Sequence, residues 1–206
     1  MESRTASGGS WDEAVSDHRR RQLLHIGRVA TALVAAEGLA AVSMSRLARE
    51  AGVSRATLYN YVPDVATAIQ RYLDAKDAAF ARSVTTAVAD EPGPVEKLRR
   101  YIREQVRYVA GGEHRAAVAV AEAGAALEGA SSARAHQARQ PAVLAAILAE
   151  GEEEGVFAPA AHGARAMLIG RLLYSAPELL FTHGLSEDEA AAAITDLALG
   201  GIAAGR

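Results

Sequence analysis

The sequence has no cysteine. Disulfides, thiolate metal sites and cysteine nucleophiles are therefore excluded, which suits a cytoplasmic chain. Aromatic residues make up only 5%. No apolar, charge-free run approaches the roughly eighteen residues that a membrane span needs. The first ten residues are polar and lack the apolar stretch of a signal peptide. Catalytic patterns are missing too: there is no G-x-S-x-G, no glycine-rich phosphate loop and no H-E-x-x-H. The histidines at 18, 25, 114, 136, 162 and 183 show no tight ligand spacing. These absences point away from an enzyme, a bound metal or a cofactor.

What is present is apolar and rich in alanine. Hydrophobic residues make up 50% of the chain, and alanine is the strongest helix former. No alternating strand pattern and no internal repeat competes, so an all-α fold is expected. Residues 1–15 are rich in serine and glycine and read as a disordered arm. Helices are then expected at about 17–37, 44–51, 55–61, 65–89, 95–110, 114–127, 133–154, 161–182 and 186–204. Glycines and prolines punctuate them, with Pro177 bending the eighth. The domain division expected is an arm at 1–15, a small head at 16–64 and a body at 65–206.

Charge is unevenly shared. Residues 1–63 carry eight arginines against six carboxylates, a net of +2, whereas the 14 basic and 19 acidic residues of the remainder give −5. Any polyanion contact is thus expected in the first third.

The stretch from Ser43 to Tyr61 carries the most chemistry. Ala48 suits a point where two helices cross closely. Gly52, four residues on, supplies the positive φ of a tight turn. Val53 and Leu58 fill the angle between the helices, and Ser54 caps the second one. That arrangement fits a helix-turn-helix, whose second helix enters the DNA major groove, although an ordinary helical hairpin can carry the same small residue and glycine.

The run Val42-Ser43-Met44-Ser45-Arg46-Leu47-Ala48-Arg49-Glu50-Ala51-Gly52-Val53-Ser54-Arg55-Ala56-Thr57-Leu58-Tyr59-Asn60-Tyr61 resembles the signature of the TetR family of bacterial repressors. So does the preceding helix, ending Ala35-Ala36-Glu37-Gly38. The resemblance covers about residues 19–73. Beyond them it rests on the number and length of helices. It implies a nine-helix TetR-like fold with a three-helix head and a helical body for ligand binding and dimerisation. It also implies a transcription regulator, most simply a repressor that binds a palindromic operator as a homodimer and is released by a small molecule.

Carried over by position, the resemblance assigns base reading to Arg55, Ala56, Thr57, Tyr59, Asn60 and Tyr61. Arg55 can pair with a guanine edge. Ala56 and the Thr57 methyl can meet a thymine methyl, and Tyr59 and Tyr61 carry hydroxyls suited to phosphate. Ser43, Ser45 and Arg46 would touch the DNA backbone from the first helix of the motif. One departure stands out: Val65 occupies the place where the family usually has a phosphate-binding lysine. Arg19, Arg20 and Arg21 are expected at a helix start, where they would compensate with phosphate contacts of their own.

In the body, apolar positions with a polar handle are the expected lining of an effector cavity: Phe80, Tyr101, Gln105, Tyr108, Glu122 and Tyr174. By the resemblance, the eighth and ninth helices pair with their copies. Met167, Leu168, Leu172, Leu179 and Leu180, then Ala190, Ala193, Ile194, Leu197 and Ile202, fit that seam. Which of them face the partner and which the subunit's own core stays open from sequence. The expected partners are double-stranded operator DNA, an unidentified small-molecule effector and a second copy of the chain.

Overall fold

A computed structural model describes residues 7–111, 141–159 and 162–203, with side chains from Val15 onward except those of Pro141 and His162. Among these the fold is all-helical, and the one β-bridge joins Phe157 to Ala203. The chain forms two compact units that divide inside one helix, between Lys76 and Asp77.

The first unit, the head, starts with α1 (Ser7–Glu37). This helix begins well ahead of its expected start at 17, so residues 7–15, read as arm from their glycine and serine content, are helical. Local propensity at a glycine–serine start is weak, but a helix already nucleated downstream can extend through it. Arg19, Arg20 and Arg21 consequently lie inside α1 and not at its N-terminus. Gly38, with φ +83°, ends α1, and a 3-10 turn (Leu39–Ala41) leads on.

The helix-turn-helix follows as α2 (Met44–Glu50) and α3 (Arg55–Tyr61). The first turns of α4 (Val65–Ala89) close the unit. Ile26, Ala30, Leu47, Leu58, Val62 and Ala68 are buried at its centre. At Gly27 an added Cβ would lie 2.3 Å from the Tyr72 Cβ and 2.8 Å from the Ala68 carbonyl. Only glycine lets α1 and α4 approach this closely.

The second unit, the body, holds the rest of α4, then α5 (Pro94–Ala110), α6 (Pro141–Glu153), α7 (His162–Leu173), α8 (Ala176–Phe181) and α9 (Glu187–Ile202). The helix expected at 114–127 and the start of that expected at 133–154 lie outside the described residues. The helix expected at 161–182 is two. Pro177 has no N–H to donate, so a continuous helix would lose a hydrogen bond and clash one turn back. The chain instead stops at Leu173, where the Ser175 hydroxyl donates to the Leu172 carbonyl at 2.7 Å, and restarts with Pro177 in the first turn of α8. There the missing N–H costs nothing.

Leu98, Ile102, Leu144, Leu148, Phe157 and Ile194 anchor the body core. Gly151 exists for Phe157: an added Cβ would meet its ring at 2.0 Å. Ion pairs tie α6 to its neighbours, Lys97 to Glu150 at 2.5 Å and Arg165 to Glu152 at 3.4 Å. Among the described residues no helix is long and apolar enough to cross a membrane.

The candidate seam residues now separate. Ala190, Ile194, Ile202 and Leu180 are buried in the subunit's own core, and Leu172 and Leu179 pack against it. Met167, Leu168 and Leu197 are about three-fifths exposed, at 58%, 59% and 63%, and Ala193, one turn before Leu197 on α9, is exposed too.

Candidate nucleic-acid interface

Sequence dictates the local build of the head in three steps. Ser43 ends an extended segment and accepts a hydrogen bond from the Arg46 N–H at 3.2 Å, starting α2. Its apolar residues Leu47 and Ala48 turn inward and are buried. At Ala51 the helix stops, and Gly52 takes φ +67° with nothing within 4 Å of a Cβ added there. Glycine is required at this point by backbone conformation, whereas at Gly27 it is required by space. The Val53 N–H bonds back to the Ala48 carbonyl at 3.0 Å and closes the turn.

Ser54 then accepts from the Thr57 N–H at 3.0 Å and begins α3. Leu58 alone of α3 is fully buried, so it fixes the helix rotation. Arg55, Ala56, Tyr59 and Asn60 are exposed as a result, and Thr57 and Tyr61 are half-buried. Thr57 is drawn into the cap, its hydroxyl 2.7 Å from that of Ser54. The Arg55 guanidinium lies 5.9 Å from the centre of the Tyr59 ring. Ser43 and Ser45 are exposed on α2, while Arg46 is turned back to Glu37, its nitrogen 2.7 Å from the carboxylate.

Three side chains whose bracing role was not legible in the sequence, Arg19 having been expected on phosphate, hold this motif in place. His25 of α1 donates from Nε2 to the Ala51 carbonyl at 3.2 Å, seating the end of α2. Arg19 of α1 donates to the Asn60 carbonyl at 3.3 Å and lies over the Tyr61 ring at 5.8 Å. Arg71 of α4 donates to the Tyr61 carbonyl at 2.8 Å. Two cations thus sit at the C-terminal end of α3, where the last carbonyls lack helical partners and the dipole is negative. The only signal for them in sequence was a helical spacing that could place Arg19 and Arg71 near α3, and spacing does not say where side chains end. Arg20 is occupied by Asp17 at 3.1 Å.

The departure at the start of α4 has a structural counterpart. Val65 is buried in the head core, and Asp64 caps α4 by accepting the Thr67 N–H at 2.7 Å. That position serves packing and capping.

The candidate effector residues fall into different settings. Tyr101 and Gln105 are buried on α5, and burial first, then the neighbouring Tyr174, pushes the Tyr101 phenol well above its ordinary range. Phe80 and Tyr108 are half-buried and stacked, with ring centres 4.1 Å apart, and the Tyr108 hydroxyl donates to Asp77 at 2.6 Å. Tyr174 is exposed beneath the Arg171 guanidinium. Glu122 lies outside the described residues. Among the described residues no group of His, Asp and Glu is arranged to hold a metal ion.

Residues 26–63 match the model for bacterial regulatory proteins of the TetR family, and residues 91–202 match that for the tetracyclin repressor-like C-terminal domain. The chain belongs to the TetR family. The first match falls within the head, and the second starts in the body and runs to its last helix. The family is one of DNA-binding transcription regulators that work through a helix-turn-helix.

Solved structures agree on the fold. A TetR-family transcriptional regulator from Mesorhizobium loti is 22% identical, with a TM-score of 0.73 over 90% of this chain and 98% of its own. A transcriptional regulator from Saccharomonospora viridis, solved with choline, is 20% identical with a TM-score of 0.74, covering 93% of this TetR-family chain and 100% of that one. AibR, solved with isovaleryl coenzyme A and operator DNA, is 19% identical with a TM-score of 0.65, covering 85% and 97%. No curated protein matches the chain.

Proposed function

We propose that this TetR-family protein is a ligand-responsive repressor that binds a palindromic operator as a homodimer and is released by a small molecule. The observation that carries the reading is the outer face of α3. Leu58 alone is buried there, and Arg55, Ala56, Tyr59 and Asn60 all face away from the head core. In this reading Arg55 reads a guanine, Ala56 and Thr57 meet a thymine methyl, and Tyr59, Asn60 and Tyr61 extend the contact. Ser43 and Ser45 hold phosphates from α2. Arg46 first has to leave Glu37, a weak exposed pair, before it can join them.

Dimerisation through α7, α8 and α9 is supported by Met167, Leu168 and Leu197, large apolar side chains left mostly exposed. Two copies would set their recognition helices about 34–36 Å apart, one turn of DNA. The effector would lodge in the body against Tyr101, Gln105, Phe80 and Tyr108, with the exposed Tyr174 at its edge and Glu122 a candidate from the sequence alone. It acts by binding the two states of the body with different affinity. AibR, which binds both operator DNA and an acyl thioester, and the choline-bound relative make such coupling a reasonable precedent without identifying the effector.

The test is a footprint of the purified protein on the promoter of its own and adjacent genes. A protected palindrome is expected, with Arg55→Ala losing about 1–3 kcal/mol of discrimination at one symmetric base pair. Absence of any protected site, or equal affinity of wild type and Arg55→Ala for every sequence, overturns the reading.

A further inference from the structure

A groove runs between α5 and α9, with a volume of about 420 Å³, within the range of small-molecule sites. One wall is Arg99, Arg103 and Arg107 of α5. These recur every four residues, so they form one row along the helix. Like charges at that spacing repel, and the row stands in a part of the chain whose net charge is negative, −5 over residues 64–206. A row of this kind asks for an anion.

Its own neighbours supply one only at one end. Arg107 reaches Glu104 at 3.4 Å and Glu187 at 3.8 Å. Arg99 and Arg103 are exposed and make no ion pair among the described residues. The opposite wall, from α9, is too short to reach them. Ala191 and Ala192 offer methyl groups, and the Thr195 hydroxyl already donates to the Ala191 carbonyl at 2.7 Å. Since Arg107 meets the start of α9 and Arg99 still lines the groove, the helices run antiparallel. Asp188 therefore lies at the Arg107 end.

We propose that the α5–α9 groove binds a small oxyanion, a phosphate- or carboxylate-bearing molecule held by Arg99 and Arg103. Their Cα atoms are separated by ~6 Å of helix rise, close enough for both guanidinium forks to converge on one anionic group, each able to give paired hydrogen bonds. Asp188 gives the site a direction: a hydroxyl or amine on the far end of the molecule donates to its carboxylate there. The site is separate from the aromatic cluster at Phe80 and Tyr108 and does not depend on the operator reading.

Calorimetric titration of the full chain with pyrophosphate, and separately with citrate, at constant ionic strength, tests this. Saturable binding of at least one is expected. Pyrophosphate alone marks the phosphate class, citrate alone the carboxylate class, and both mark the shared oxyanion chemistry. Arg99→Ser with Arg103→Ser should weaken binding at least about tenfold, given the strength of charge-assisted bonds. Arg82→Ser, removing another exposed arginine of the body, should leave it unchanged. Should the double change lower the melting temperature, Arg103→Gln alone carries the comparison. Failure of both anions to bind saturably, or an equal loss in Arg82→Ser, overturns the proposal.

Discussion

The head and the body are both helical, and they are held together by different physics. The head is built from helices as short as seven residues, which cannot stand alone in water. Its order comes from specific backbone devices: the Ser43 and Ser54 caps, the positive φ of Gly52, and cations on the exposed end of α3. In the body order comes from filling volume, with Phe157 seated against Gly151 and leucines of α5 and α6 in the same core. A unit that must present one helix rigidly gains from directional bonds. One built on packed volume can exchange one apolar filling for another at lower cost.

The largest effect expected is in the body. Phe157→Ala should cost about 3–5 kcal/mol of stability, and Phe157→Leu much less, because volume is what the site needs. Urea denaturation read by circular dichroism measures both, and equal losses in the two variants would break the contrast. In the head, Leu58→Ala should cost about 2–5 kcal/mol and also abolish specific DNA binding, since Leu58 sets the rotation of α3.

Two glycines of the head sharpen the point from within. Gly27→Ala should cost about 1–3 kcal/mol through overpacking against Tyr72. Gly52→Ala should cost about 1–2 kcal/mol through its left-handed backbone alone. Gly27→Ala should be partly rescued only where the Tyr72 Cβ itself is removed, in the double variant with Tyr72→Gly compared with Tyr72→Gly alone, and Gly52→Ala should not. Thermal melts of the single and double variants decide this.

The cap of α3 gives a smaller effect: Ser54→Ala should cost about 1 kcal/mol and weaken specific DNA binding more than non-specific binding.

The smallest effect concerns pH at the capping box of α9. The Ser186 backbone N–H, and then its hydroxyl, hold the Glu189 carboxyl below its ordinary value. A carboxyl lowered on folding stabilises fully above its unfolded value and loses that contribution as pH falls through the folded one. The difference in melting temperature between wild type and Glu189→Gln should therefore be present at neutral pH and vanish in acid. A difference that persists unchanged in acid would show that the bond to Ser186 is insensitive to charge.

Legibility followed the same division. The helix-turn-helix could be read residue by residue because each of its devices is local: a cap, a small residue, a turn glycine and one inward leucine within nineteen positions. The break at Pro177 was half-legible. Proline marked the place, but whether the helix bends or restarts depends on what its flanks pack against. The extension of α1 to Ser7 was missed because glycine and serine content describes local preference and not the helix downstream. In the body, amphipathic stripes announced helices without saying which stripe faced inward. Leu180 and Ile194 looked no different from Leu168 and Leu197.

By itself, then, the sequence determined the all-α class, the head with its turn and caps, and the membership of a DNA-binding family. Those depend on interactions within a few residues, which composition and spacing record directly. Tertiary structure alone decided that Arg19, Arg71 and His25 brace the recognition motif, that Val65 is core and Asp64 a cap, and that three arginines of α5 overlook a groove floored by small residues of α9. Such contacts join residues tens of positions apart. Their existence follows from how helices cross, a geometry no single segment encodes.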